Sequence, residues 1–149
     1  MGSDKIGNMQ FGVISHYVKL LSFENINIDY QEFGATPKLD VSVDIEVVSD
    51  VLAPSTYAVS LNFSTEANSQ GKKRFKLRLI YTGIFRISGL PESSLQAMLF
   101  VECPKVIFPF ARRIIYETTR DGGHEPLSID PINFFDQFIE SHKRDVTSG

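Results

Sequence analysis

The sequence predicts an α+β domain in which one four-stranded antiparallel sheet is covered by helices on one side. Apolar and polar residues alternate at a period of two in several runs between Phe11 and Ile87, which is typical of half-buried strands. After Leu90 the apolar residues recur at the spacing of a helix instead. Strands followed by helices, rather than strands alternating with them, favour an α+β fold over a parallel α/β fold.

Four alternating runs define the strands. The first, from Phe11 to Phe23, alternates imperfectly, with Val13, Tyr17, Leu21 and Phe23 on one phase. Strict alternation with β-branched residues from Leu39 to Val48 predicts the second strand. The remaining strands are predicted around Tyr57–Phe63 and from Phe75 to Ile87, where the last one becomes apolar on both faces. The apolar residues of the loop between the first two strands are Ile26, Ile28, Tyr30 and Phe33.

Prolines and glycines set the predicted helix boundaries. Pro91 suits the first turn of a helix, which we expect to end where the Cys103-Pro104 pair interrupts it. The next helix carries a wide apolar arc from Ile107 to Thr118, suggesting packing from two sides, and stops at Gly122-Gly123. Asp130-Pro131 predicts the start of a last helix. Its apolar face is made of Phe134, Phe135, Phe138, Ile139 and His142.

Composition indicates one soluble domain. The chain has 149 residues, 42% of them hydrophobic, with 15 basic and 18 acidic groups. A chain of this size buries roughly 70% of its unfolded surface, so its core needs no metal or disulfide. We expect a flexible N-terminus over residues 1–10, one domain over 11–142 and a flexible C-terminus over 143–149.

Charge, cysteine content and apolar run length exclude several classes of protein. The net charge of −3 disfavours nucleic-acid binding, and no apolar run approaches the roughly 18 to 20 residues of a membrane helix. Cys103 is the only cysteine, which removes intramolecular disulfides and thiolate zinc clusters and suits a reducing compartment. We therefore expect a cytoplasmic protein that does not insert into membranes.

The sequence offers little catalytic chemistry. Cys103 lies in an apolar stretch, where a thiol is more often a buried hydrophobe than a nucleophile. The three histidines lack ligand spacing, and Gly122-Gly123 follows a helix rather than preceding one, so neither a metal site nor a phosphate loop is predicted. Asp40 and Asp44 are explained by the polar half of an alternating strand. We predict no catalytic residues, no metal and no cofactor.

Three apolar features admit two interpretations of similar weight. They are the aromatic loop before the second strand, the last helix and the two-faced end of the fourth strand. In one interpretation all three belong to the core, because buried aromatics dominate protein cores. In the other they line an apolar groove, and such a patch on a soluble protein marks an interaction surface.

Three motifs in one register resemble the SecB family of bacterial protein-export chaperones. They are YTGIFRISGLP from Tyr81 to Pro91, CPKVIFPFARRIIYETT from Cys103 to Thr119 and PLSIDPINFF from Pro126 to Phe135. The similarity runs from about Phe11 to Ile139, which is most of the chain. Their order and spacing make the combination specific.

The resemblance implies a function as well as a fold. SecB proteins are dimers of dimers whose long helices lie between the sheets, and they use neither a cofactor nor ATP hydrolysis. They bind unfolded preproteins and pass them to the translocation ATPase SecA. For this chain we expect client contacts from Tyr30, Phe33, Ile132, Phe134, Phe138 and Ile139. The expected tetramer interface is Ile107, Phe108, Phe110, Ala111, Ile114 and Ile115.

One expected surface departs from the family pattern. The resemblance implies a SecA-docking flank with an acidic residue after Lys19 and a hydrophobic and an acidic residue on the last strand. Here Leu20, Lys76 and Arg78 stand at those positions, and only Glu24 retains the expected charge. A basic SecA module would meet two cations, which lowers affinity. The alternative is a SecB-like chaperone dedicated to another client, such as the antitoxin of a toxin–antitoxin system. A small-molecule-binding or enzymatic protein is disfavoured by the missing acid–base set.

Overall fold

The structure, a computed structural model, describes residues 8–27 and 38–148, with side chains as far as residue 141. Four strands form one antiparallel sheet in the order β1-β4-β3-β2, which confirms the predicted α+β class. Each strand is longer than its sequence run. The strands are β1 (Gln10–Asn25), β2 (Asp40–Ala53), β3 (Thr56–Ser69) and β4 (Lys72–Ser88).

The two faces of the sheet differ in composition. Odd-numbered residues of β3 and β4 point toward the helices and form the core, with Phe63, Leu79 and Phe85 fully buried. Even-numbered residues of these strands point to the opposite side, which carries polar residues such as Ser64 and Arg78. We call the first the helix side and the second the open face.

Two irregularities in β1 correct the predicted phase of that strand. The pairing with β4 shifts between Val13 and Ser15 and again between Val18 and Leu20. Each shift moves the following residues to the other face, because side chains alternate at every position. Tyr17 therefore pairs with Thr82 on the open face, whereas the prediction grouped it with Val13.

The helices after the sheet are continuous where an interruption was predicted. A helix α1 (Glu92–Ala97) passes through a π-helical turn (Met98–Glu102) directly into α2 (Cys103–Asp121). The predicted break at Cys103-Pro104 is wrong, because Pro104 lies in the first turn of α2, just after the wider turn. Pro109 lies inside α2 on its exposed side. The end of α2 before Gly122 agrees with the prediction.

Packing of α2 uses its wide apolar arc within a single chain. Ile107 lies over Gly83 of β4, and Phe108 contacts both Phe63 of the sheet and Phe134 of the last helix, at ring-centroid distances of 6.4 and 5.9 Å. The stretch Glu92–Asp121 is long and apolar enough to cross a membrane by length and composition alone. Within the chain, 39% of the apolar window in this stretch is buried.

An extended strap connects α2 to the last helix, α3 (Phe134–Ser148). The strap is held to α2 by the backbone N–H of Leu127, which donates to Thr119 Oγ1 at 2.9 Å. Asn133 Oδ1 accepts from the N–H of Asp136 at 3.0 Å and so caps α3. The predicted cap at Asp130-Pro131 is therefore placed too early.

Candidate functional site

An apolar strip runs along the β2 edge of the helix side. It begins with half-buried β2 residues, continues across the π-helical turn, which contacts both β2 and α3, and ends on α3. The rings of Phe100 and Phe138 stack at 6.3 Å and join the last two parts. We define the strip by Val43, Ile45, Val47, Met98, Phe100 and Phe138. Each of these side chains packs against the core and leaves part of its surface exposed. The strip therefore presents apolar surface to solvent while its side chains are held in place by the core.

The four expected client contacts on α3 and its approach differ in accessibility. Phe138, Ile132 and Ile139 are half-buried, and Phe138 belongs to the strip. Phe134 is only 2% exposed, because its ring packs edge-on against Phe108, so it offers little surface to a client and its role as a client contact stays a prediction. Phe135, which lies outside the expected client set, is 54% exposed. Periodicity grouped the two rings, since neighbours on a helix lie only about 100° apart.

Two expected client contacts, Tyr30 and Phe33, lie outside the described residues. The described strands that precede and follow them, β1 and β2, form opposite edges of the sheet. Their role as client contacts therefore stays a prediction.

The expected interface residues on α2 fall into two groups. Ile107, Phe108, Ala111 and Ile115 are buried against the sheet within one chain, so they contribute little surface to another. Phe110 and Ile114 remain half-buried. The ring of Phe110 lies against that of His16 of β1, with 4.4 Å between the centroids, which connects this surface to the β1 edge.

The β1 edge is an exposed apolar surface that the sequence interpretation did not single out. Its helix-side residues Val13, Val18 and Leu21 are each more than two-fifths exposed. Alternation predicted one buried face for this strand, but an edge strand is covered only partly by the helix above its neighbour. The sequence did contain an indication of this surface. Apolar residues of β1 lie on both faces of the strand, which is typical of a strand that is covered on both sides.

The open face brings together all four residues of the expected docking flank. Leu20 pairs with Ile80, Glu24 pairs with Lys76, and Ser22 pairs with Arg78. From β3, Glu66 and Ser64 complete the last two rows. A depression of about 270 Å³ lies over these rows. Lys76 therefore stands between two carboxylates, whereas Arg78 stands between two serines.

Cys103 is the only cysteine of the chain, and it is buried as a free thiol. Burial, reinforced by the carboxylate of Glu102, raises the pKa of the Cys103 thiol to about 12, which keeps it protonated and unreactive. Within residues 8–27 and 38–141 no three His, Cys, Asp or Glu side chains are grouped to hold a metal ion.

The structure thus combines a partly exposed apolar strip on the helix side of the sheet with charged residues on the open face. A model of the family described as preprotein translocase subunit SecB matches residues 4–145. The chain belongs to the SecB family.

Relatives named protein-export protein SecB cover most of the chain. The protein of Parvibaculum lavamentivorans is 41% identical over 135 residues, which is 91% of this chain and 80% of the relative. The protein of Bradyrhizobium diazoefficiens is 36% identical over 142 residues, covering 94% and 87%.

A solved structure has the same fold at low sequence identity. It is a Mycobacterium tuberculosis SecB-like chaperone in complex with a ChAD peptide from the HigA1 antitoxin. The TM-score is 0.69 at 14% identity, and the match covers 87% of this chain and 94% of the other.

Proposed function

We propose that this protein is an ATP-independent holdase that binds unfolded preproteins in the cytoplasm and keeps them competent for translocation. The observation that carries the proposal is the apolar strip, with an exposed Phe135 about one helical turn before Phe138 on α3, in a chain of the SecB family. The export relatives, at 41% and 36% identity, favour this function over the antitoxin-dedicated alternative. That alternative is supported by the altered charges of the docking flank.

The proposed mechanism needs no tight pocket. A protein that binds the unfolded state removes it from the folding equilibrium by mass action. The strip offers half-buried rings, so a short apolar client segment gains only part of its full burial energy at each contact. Several segments of one client that engage equivalent strips in an assembly gain about 10²- to 10⁴-fold through effective concentration. The protein can therefore bind clients of many different sequences, because no single contact has to be specific.

We propose a homotetramer, a dimer of dimers, with Phe110 and Ile114 of α2 at its interface. The exposed β1 edge supports this proposal. A 16-residue edge strand with accessible apolar residues is an aggregation site unless another chain covers it. Val18 and Leu21 extend the same surface. The buried residues of the expected interface, Ile107, Phe108, Ala111 and Ile115, hold α2 on the sheet and so fix the position of Phe110 and Ile114.

An aggregation assay tests the holdase activity. Purified protein at one tetramer per denatured client should delay light scattering without nucleotide. Phe135→Ala with Phe138→Ala should shorten the delay severalfold, because the variant removes one ring of the strip and the exposed ring about one turn before it on α3. Tyr116→Ala removes a ring that is 41% exposed on α2 and is the matched control. No delay in light scattering with the unaltered protein would contradict the holdase proposal. An equal shortening of the delay in the double variant and in Tyr116→Ala would show that clients do not bind at the strip.

We propose that delivery to SecA occurs with weakened affinity. Lys76 and Arg78 replace the hydrophobic and acidic residues that the family uses, and a basic module approaching them loses affinity and encounter rate. Titration of the C-terminal zinc module of SecA should give at least tenfold weaker binding than to a SecB with an acidic flank. Equal affinity would contradict the charge argument. Leu20→Asp, Lys76→Leu and Arg78→Glu together should restore tight binding.

A further inference from the structure

Arg78 is a cation on the open face whose charge has no partner among the described residues. Lys76 has Glu24 and Glu66 directly opposite on its two neighbouring strands. Glu66 in turn lies 3.6 Å from Lys73 Nζ. Arg78 instead has Ser22 and Ser64 opposite. In the described part of the chain, Arg78 has no carboxylate within 4.0 Å and no side-chain hydrogen bond.

The surroundings of Arg78 suit a carboxylate. A guanidinium presents its N–H donors in a planar fork that matches both oxygens of a carboxylate. The hydroxyls of Ser22 and Ser64 lie on the adjacent strands and add neutral donors on either side. The depression of about 270 Å³ that all three residues line leaves room for a side chain.

A second unpartnered atom lies one row further along the same face. Asn62 pairs with Ile80, and its Oδ1 is buried without a hydrogen-bond partner among the described residues. A buried acceptor without a partner is costly, and it requires an N–H or O–H donor. Leu20 completes this row with an apolar side chain. Because Leu20 and Ile80 are both half-buried, this row suits an apolar side chain beside the carboxylate, which a peptide supplies and a bare anion lacks.

We propose that the open face is a second polypeptide site that takes an extended acidic peptide segment. An Asp or Glu carboxylate of the partner binds the Arg78 guanidinium between the two serines. An apolar residue of the segment, adjacent to that carboxylate, packs on Leu20 and Ile80. This site lies across the sheet from the apolar strip and does not depend on holdase activity.

Fluorescence anisotropy of the full chain with labelled ten-residue peptides tests the site. A peptide of alternating valine and glutamate should bind, while its valine–lysine counterpart should bind at least tenfold more weakly. Arg78→Ser should weaken the acidic peptide at least tenfold, since one charge-assisted bidentate contact contributes about that factor. Arg86→Ser is the matched control, because Arg86 is an exposed cation on the same strand and face, opposite Gly12 and Thr56.

Each outcome of these measurements either supports the acidic-peptide site or overturns it. Equal losses in Arg78→Ser and Arg86→Ser, or equal binding of both peptides, would overturn the proposal. Displacement of the acidic peptide by inorganic phosphate at millimolar concentration would overturn it in favour of a simple anion site. The double variant Phe135→Ala, Phe138→Ala should leave acidic-peptide binding unchanged. Arg78→Ser should leave aggregation suppression unchanged, so failure of this proposal and failure of the holdase function are distinguishable.

Discussion

Phe134 and Phe135 are adjacent aromatic residues with opposite environments. The first is packed against α2, while the second points away from the core. The two rings should therefore differ in their contribution to the free energy of unfolding. Truncating a buried ring leaves a cavity in the core, whereas truncating an exposed ring leaves none.

Substitution of the two rings should therefore separate stability from function. Phe134→Ala should lower the free energy of unfolding by about 3–5 kcal/mol. Phe135→Ala should change it by about 0.5 kcal/mol or less. Urea denaturation monitored by circular dichroism measures both, and similar losses in the two variants would contradict the assigned orientations.

His124 makes stability depend on pH at the junction of α2 and the strap. Its Nε2 lies 2.6 Å from Asn25 Oδ1, and its ring packs against Phe75 with 4.7 Å between the centroids. Asn25 Nδ2 donates to the Gly122 carbonyl at 3.0 Å, so its Oδ1 is the acceptor and His124 Nε2 carries the proton. Burial lowers the pKa of His124 from its ordinary value of 6.5.

Stability should consequently decrease as the pH falls below about 6.5. The unfolded chain binds a proton there that the folded chain resists, and the loss levels off once the pH passes the lowered folded pKa. Denaturation midpoints measured at intervals from pH 7.5 to 5 test the direction. His124→Gln should remove this part of the slope while keeping a donor for Asn25. An unchanged slope in that variant would assign the effect to other groups.

At the scale of elements, Gly83 sets the distance between β4 and α2. A Cβ at this position would lie 2.9 Å from Ile107 Cγ2 and 2.6 Å from the Phe85 ring. Real Cβ atoms do not approach so closely, so the helix or the ring must move. The small residue allows α2 to settle directly on the centre of the sheet.

Gly83→Ala should thus lower stability by about 1–3 kcal/mol through overpacking. Gly12→Ala is the matched control, because a Cβ there meets nothing within 4 Å. Thermal unfolding of both variants measures the difference. A Gly83 variant as stable as the Gly12 variant would mean that the helix shifts freely on the sheet.

Strand identity was predictable from sequence, whereas helix continuity and exposure were not. Alternation found all four strands because β3 and β4 bury one complete phase, as at Phe63 and Leu79. It failed for Tyr17, since a bulge changes phase without a local sequence signal. It also could not place the π-helical turn, which depends on packing against β2 and α3. The exposures of Phe134 and Phe135 could not be distinguished either. Both residues lie near the same side of the helix, and the sequence does not reveal which part of that side packs against α2.

At the scale of the molecule, an assembly should cover the β1 edge. Native mass spectrometry should give four chains, and Val18→Lys should shift the population toward smaller species, because a charge replaces an exposed apolar contact. Ile14 is 53% exposed within the first bulge, so Ile14→Lys tests how far the interface extends. A monomer at micromolar concentration would contradict the proposed tetramer.

The separation of β1 from β2 in the sheet affects how the protein is made. β2, β3 and β4 follow one another as neighbours, so hairpin formation organises them with short loops. β1 pairs only with β4, and even its nearest rung joins Asn25 to the distant Phe75. Of the four strands, β1 is made before the others but has no partner until β4 has been made, and closing the long loop between them carries an entropic cost. Until β4 is available, β1 is an unpaired apolar segment of the kind that this chaperone is proposed to hold in other proteins.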